Sequence, residues 1–311
     1  MINNNEYAPI ALFVYNRPEH TQHTVEELAK NINADKSELF IFSDAAKTSS
    51  DQSAVGKVRR YVRDIKGFAS VNVIERERNL GLANSIIDGV TQLCEQYGRV
   101  IVLEDDLQTA PHFLTFINTA LNMFHDEERI GAVSGYIYPV NVSEQVFLRN
   151  VPQSWGWGTW KRSWELMQTD GAKLLEQLAH TGTAESFNKA GHQPFIKMLK
   201  DQIRGKNNSW YVRWSASLFL NQKLTLMPPK SLVRNIGIDG TGTHCAYWRF
   251  NPYDVEITEE QINIPSNADI SVDNAIESRL SRYFWKVRFI RYVNFFYRIL
   301  RLGSYRIWMK R

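Results

Sequence analysis

Three acids, Glu104, Asp105 and Asp106, follow directly on the unbroken apolar run VIVL at residues 100–103. Carboxylates this close raise one another's pKa and oppose folding unless a cation or hydrogen-bond donors hold them. The triplet is either a solvated turn or a seat for a divalent cation shared with substrate phosphates. Mg²⁺ binds through one or two carboxylates plus phosphate oxygens, and Mn²⁺ suits the same oxygen set. The four residues that follow carry no basic side chain, and the run before reads as a buried strand, so the cation reading is preferred. Side chains alternate along a strand, which predicts Glu104 and Asp106 on one face and Asp105 on the other.

Two other stretches carry residue types able to do chemistry. The stretch SWGWGTWKRSW sets Trp155, Trp157, Trp160 and Trp164 close together, with Gly156 and Gly158 between them. Trp160 and Trp164, four apart, read as core, since tryptophan buries a large area wherever it lies. Trp155 and Trp157 sit among glycines that let a backbone approach a ligand, and they are expected to offer ring faces to a sugar. The stretch RNIGIDGTGTHC, residues 234–245, is a glycine-rich loop. Its backbone N–H groups could wrap phosphates, with Gly240 and Thr241 as candidates, or it could be a plain connector.

Alternating elements must position these groups. IALFVY at residues 10–15, LFIFS at 39–43, VNVI at 71–74 and VIVL at 100–103 read as strands. Helices are expected from Pro18, over residues 55–65, after Asn79-Leu80-Gly81, and from Pro111 to Met123. Strands alternating with helices of this length predict an α/β fold with a mostly parallel sheet flanked by helices. Ligands in such sheets bind at the carboxyl ends of the strands. Asn16, Arg17, Asp44 and the acidic triplet all fall there.

Composition excludes several classes. With 43% hydrophobic and 23% charged residues, the 311-residue chain reads as an ordinary soluble globular protein. Two cysteines, Cys94 and Cys245, make no disulfide framework, and a reducing compartment is expected. The first residues show neither a basic n-region nor a cleavage-like site, and no apolar stretch approaches about 18 residues, so neither a signal peptide nor a membrane span is expected. Charge is uneven. Residues 278–311 hold ten Lys/Arg and no acid, whereas residues 1–277 hold 27 basic and 33 acidic residues.

The stretch VIVLEDDLQTAPHFLTFINTAL resembles the nucleotide-sugar site of GT-A (Rossmann-like) glycosyltransferases. It is most similar to the N-acetylglucosaminyltransferase I type, and bacterial surface-polysaccharide glycosyltransferases share the pattern. PIALFVYNRP is similar to that family's first strand and Arg-bearing turn, FIFSDA to its uracil-contacting strand, RNLGLANSI to a helix start, and SWGWGTWKRSWEL to its acceptor loop. The likeness covers about residues 9–245. It implies that Asp106 ligates Mn²⁺ or Mg²⁺, that Asp105 meets the ribose, Glu104 a hydroxyl of the donor sugar, and Asp44 the uracil. Arg17, with Asn16 and Asn79 nearby, would lie along the base and phosphates, and His244 would match a late metal-ligating histidine. The implied activity transfers a sugar from a nucleotide sugar, UDP by the resemblance, to a glycan or lipid-linked glycan in cell-surface polysaccharide biosynthesis.

An inverting transferase, the favoured stereochemistry, needs a general base. The family holds it in an acidic pair that the matching NNSWYVRWSASL lacks. Asp239, Asp201 and Glu165 are the substitutes, and Asp239 is preferred for its place in the glycine loop. Without a base, a retaining transferase or a non-catalytic sugar-nucleotide binder remains open. A sugar nucleotidylyltransferase is disfavoured because VYNRPEHT has no Gly-rich, Arg-Lys-bearing loop.

The expected organisation is a catalytic domain over residues 1–275, with a nucleotide-sugar half to about 140 and an acceptor half beyond, followed by an amphipathic basic helix over 276–311. On a helix of about 100° per residue, Phe289, Tyr292, Val293, Phe296, Tyr297, Ile299 and Leu300 fall on one half. Arg288, Arg291, Arg298 and Arg301 fall on the other, while Phe295 and Leu302 break the pattern. Such a helix suits an anionic bilayer surface. That predicts a peripheral protein at the cytoplasmic face of the cell membrane. An acidic body is a poor nucleic-acid platform, and no nucleic-acid partner is expected.

Overall fold

The computed structural model describes residues 6–239, 250–265, 272 and 274–308. In chain order the elements begin with β1 (Ile10–Val14), α1 (Pro18–Ala29), β2 (Glu38–Ser43), α2 (Gln52–Val62), β3 (Ser70–Glu75) and α3 (Leu82–Tyr97). Next come β4 (Arg99–Glu104), β5 (Leu107–Thr109), α4 (Phe113–Met123), β6 (Ile130–Ser134), β7 (Phe147–Arg149) and β8 (Trp157–Trp160). A helical stretch follows: α5 (Lys161–Trp164), α6 (Gly171–His180), α7 (Ala184–Gly191), α8 (Phe195–Ile203) and α9 (Trp210–Leu220). The last elements are β9 (Leu224–Met227), β10 (Val233–Asn235) and α10 (Asn274–Trp308).

Eight strands form one sheet in the order β3-β2-β1-β4-β8-β6-β9-β7, and β5 pairs with β10 in a separate ribbon. The β3-β2-β1-β4 half is parallel throughout, and β6 and β9 are also parallel. β8 and β7 run against their neighbours. Because β8 is antiparallel to both β4 and β6, those two strands point the same way. The fold is therefore the α/β, mostly parallel, helix-flanked sheet that the sequence predicts, with a C-terminal helix.

Strand alternation divides the core into two layers. Ile10, Leu12 and Val14 of β1 join Val25, Leu28, Val58, Val62 and Ile117 on the side of α1, α2 and α4. Ala11 and Phe13 join Ile86, Val90, Trp157, Trp164 and Trp214 on the side of α3, α5 and α9. The four predicted strands and the helix from Pro18 are present, α2 begins earlier than expected, and α4 begins at Phe113 rather than Pro111.

The N-terminal half of α10 belongs to the main core. Ile276, Leu280 and Phe284 are buried in one cluster with Ile137, Tyr138, Val142, Phe147 and Leu148. Arg149, 1% exposed, donates to Glu277 at 2.8 Å and to the Ala190 carbonyl at 3.0 Å, while His192 Nε2 lies 3.1 Å from the same carboxylate. Burial alone would raise the Glu277 pKa, but the His192 hydrogen bond and the Arg149 charge outweigh it and hold the carboxyl at about 2.

Removing one partner of a buried pair typically costs about 3–5 kcal/mol, since the other charge stays buried and uncompensated. Glu277→Ala is therefore expected to lower the thermal midpoint strongly, and a midpoint matching wild type would contradict the pairing. The sign with pH follows from the lowered pKa. The stabilisation is complete above the ordinary glutamate range and is lost as pH falls through about 2.

Candidate active site

The sheet order places β1 where the chain reverses direction: β2 and β3 extend to one side of it, β4 to the other. A crevice opens at the carboxyl ends of strands at such a switch point. Tyr15, Asn16 and Arg17 leave β1 there, and the acidic triplet leaves β4 beside them, with Phe13 paired to Glu104. β4 ends at Glu104, so strict alternation stops and Asp105 and Asp106 form a turn. Thr24 of α1 pins that turn, donating to the Asp105 carbonyl at 2.9 Å and accepting from Leu107 N–H at 3.1 Å.

The carboxylates are crowded. Burial, then the charges of Asp106 and Asp105, pushes the Glu104 carboxyl well above its ordinary range. Burial, then Asp106, raises Asp105 to about 7, against the lowering influence of Arg17 and of the Tyr15 N–H 3.4 Å away. Arg17 is the compensating cation. Its Nη1 lies 2.9 Å from Asp106 Oδ2 and its Nη2 3.6 Å from Asp239 Oδ1, while His20 Nε2 stands 3.1 Å from Asp239 Oδ2. Pro18 opens α1 immediately after Arg17, and His20, three residues on, shares that helix's first turn.

The glycine-rich stretch arrives by the β5–β10 ribbon, in which Asn235 pairs with Leu107. Ile236 N–H donates to the Asp106 carbonyl at 2.8 Å, and the Asn235 side chain accepts from Gly237 N–H at 2.9 Å. Gly237 is required for space: a Cβ there would stand 2.1 Å from Asp106 Oδ2 and 2.8 Å from Arg17 Nη1. Gly240, Thr241 and His244 lie outside the described residues.

Other sequence-predicted groups serve the scaffold. Asp44, 5% exposed, accepts from Leu80 N–H at 2.9 Å, Gly81 N–H at 2.8 Å and Ala45 N–H at 2.9 Å. Asn79 donates to the Ala45 carbonyl at 2.7 Å, and Asn16 to Asp51 at 3.0 Å. Asp44 and Asn79 thus tie the turn after β2 to the start of α3. Trp157 offers no face to a sugar, contrary to expectation: it is 1% exposed and stacked on Trp210 at 5.4 Å. Gly156 and Gly158 make room for the protein rather than for a ligand. Gly156 has φ +58°, and Cβ atoms at the two positions would strike Val233 and Ile117. Trp155 alone of the pair keeps a partly exposed ring, set edge-on to Tyr136 at 4.5 Å.

Of the three substitute bases, only Asp239 is at this site. Glu165 caps α5, which follows β8 where Trp160 pairs with Arg99 at the opposite edge of the sheet, and Asp201 pairs with Lys197 on α8. His20, Asn235 and Thr24 were not anticipated. The RPEH spacing was the available signal for His20, since residues three apart share a helix face.

The donor set suits a hard divalent cation: Asp106 and Asp239 turn carboxylate oxygens toward one positive group. Among the described residues no group of three or more His, Cys, Asp or Glu is arranged to hold an ion. An ion on Asp106 would therefore draw further ligands from phosphate oxygens and water.

No family model and no curated protein matches this chain. Among solved structures it is similar to the mannosyltransferase PcManGT from Pyrobaculum calidifontis in complex with GDP-Man and Mn²⁺, at 14% identity and TM-score 0.36, over 70% of this chain and 76% of that one. It is also similar to S. aureus TarS, at 16% identity and TM-score 0.30, over 41% of this chain and 21% of that one. A nucleotide-diphospho-sugar transferase from Desulfovibrio desulfuricans aligns at 13% identity and TM-score 0.31, over 50% of this chain and 64% of that one. The chain thus spans about a fifth of TarS and less than two thirds of the third protein. The first and third are sugar transferases by description, but superpositions this loose transfer no activity.

Gly237→Ala should displace the Arg17–Asp106 pair. Losing that contact is expected to lower stability by about 1.5–3 kcal/mol, the scale of one charge-assisted hydrogen bond. A chemical-denaturation curve reads the change, and unaltered stability would show that Gly237 is not what keeps the pair together.

Proposed function

We propose that this chain is a metal-dependent GT-A glycosyltransferase that moves a hexosyl or N-acetylhexosaminyl group from a nucleotide sugar, UDP-linked by preference, to a glycan or lipid-linked glycan in cell-surface polysaccharide synthesis. One observation carries the reading: at the switch point of a parallel sheet, Asp106 and Asp239 converge on Arg17 while Glu104 and Asp105 stand beside them. That is a site built to exchange an internal cation for a substrate carrying phosphates.

In this reading Asp106 holds Mn²⁺ or Mg²⁺, and the ion when bound neutralises charge developing on the diphosphate leaving group. Arg17 leaves Asp106 to pair with phosphate oxygens, as guanidinium groups do with bidentate geometry. Asp105 takes the ribose and Glu104 a hydroxyl of the donor sugar, with Asn16 toward the base. Asp44 acts by holding the turn against which the base would lie. Gly240, Thr241 and His244 are assigned to the phosphate and metal side by resemblance alone. Trp155 faces the acceptor. Asp239 accepts the proton of the attacking hydroxyl in an inverting reaction, once Arg17 has moved to the phosphates and released its oxygen. The protein works in the cytoplasm, at the inner face of the cell membrane. Among the described residues no helix is long and apolar enough to cross a membrane.

The pairing of Asp239 with both Arg17 and His20 favours one rival, a non-catalytic sugar-nucleotide binder, because both carboxylate oxygens already face partners within the protein. Sustained UDP release from a UDP-sugar with acceptor glycan present would exclude that rival. A thermal-shift panel of nucleotide sugars with and without Mn²⁺ tests the main reading. Wild type is expected to show a metal-dependent rise that Asp106→Ala lacks, and a variant that keeps the rise would remove Asp106 as the ligand.

A further inference from the structure

We infer that α10 is a rigid membrane-docking ridge: Trp285, Phe289 and Tyr292 insert among lipid headgroups while Arg282, Lys286 and Arg288 pair with anionic phosphates. The membrane location rests on the reading above; the residues and their fixed orientation go beyond it. Trp285 is 70%, Phe289 64% and Tyr292 66% exposed, with Val293 beside them. At about 100° per residue these four side chains share one side of the helix. The opposite side carries Ile276, Leu280, Phe284, Val287 and Asn294, all buried against the body.

Aromatic residues left in water over a continuous ridge, and rimmed by polar groups, mark an interaction surface. Charge selects the occupant. Arg282, Lys286 and Arg288 are exposed and make no ion pair among the described residues, and residues 278–311 contain ten basic groups and no acid. Two copies of such a helix would repel each other, whereas an anionic bilayer attracts it by about one decade or less in affinity per basic residue. Tryptophan and tyrosine favour the interface, where an apolar ring meets a wet rim.

The ridge is not a loose tail. Beyond the Arg149–Glu277 pair, Arg279 donates to the Asn141 and Val142 carbonyls, and Arg291 to the Tyr253 hydroxyl at 2.8 Å. Asn294 exchanges hydrogen bonds with the Phe250 backbone. Asn141 and Val142 lie in the connection after β6, which leaves the sheet at the same edge as the turns after β1 and β4. A bilayer seated on the ridge would therefore lie at a fixed orientation to the edge holding the carboxylates, suited to an acceptor presented from lipid.

Deleting α10 would be a poor test, because losing Leu280, Phe284 and Val287 opens the core and strands the Arg149 charge. The full chain is instead sedimented with phosphatidylcholine vesicles, with and without phosphatidylglycerol, in the absence of nucleotide and metal. Binding is expected only with the anionic lipid. The variant Arg282→Gln/Lys286→Gln/Arg288→Gln should lose roughly hundredfold in partitioning, and Trp285→Ser/Phe289→Ser/Tyr292→Ser should lose binding while keeping the wild-type circular-dichroism melt. Equal binding to neutral vesicles, or unchanged binding by the charge variant, would overturn the inference. So would a concentration-dependent dimer that the aromatic variant abolishes, with no vesicle binding, which would assign the ridge to a second copy. Because no substrate is present, a failed glycosyltransferase reading leaves this result intact.

Discussion

The interaction on which the site depends is the contact of Arg17 with Asp106, 2.9 Å long and set among three consecutive acids. Without a cation there, Glu104, Asp105 and Asp106 would be brought together by a buried strand end with only the long Tyr15 N–H and Asn235 side-chain hydrogen bonds to offset their repulsion. A guanidinium supplies that charge in the free protein. It is also a group that phosphates can draw away, so on the proposed reading the same contact stabilises the free protein and marks where a diphosphate would bind.

The scaffold meets in this small volume from three directions. β1 and β4 bring Arg17 and the acids to adjacent strand ends, α1 pins the acidic turn through Thr24, and the β5–β10 ribbon brings Asn235 and Gly237 against Asp106. The ribbon is short, yet it determines what fits over the carboxylate, since even one methyl group on Gly237 would collide with it. The tryptophans act at a distance. Trp157, Trp164, Trp210 and Trp214 fill the layer behind β4 and β8 and so hold the strand end in place.

Much of the half built from β1 to β4 was legible because β1 and β4 are buried on both faces and read as continuous apolar runs followed by polar turns. The carboxylate triplet and Arg17 fall at those turns by position alone. The second half was not legible in the same way. β7, β8, β9 and β10 have three or four residues each, too few for a period to show, and their partners are distant in sequence. Trp157 misled for a related reason: a glycine on either side suggests an open loop, whereas here the glycines are small so that Val233 and Ile117 can pack close. Asp44 lies at the predicted strand end, but its oxygens are taken up by the start of α3, a partnership that no local pattern encodes. The amphipathic pattern of α10 was visible, but not that its first turns complete the core.

On the proposed reading, the acids crowd together because a doubly charged ion belongs between them and a diphosphate. The most direct measurement is anomalous scattering at the manganese edge from crystals soaked with UDP and Mn²⁺. One strong peak is expected within bonding distance of Asp106 and of the diphosphate, with Arg17 drawn off the carboxylate. Manganese bound elsewhere, or UDP bound with the Arg17–Asp106 contact intact and no metal beside it, would contradict it.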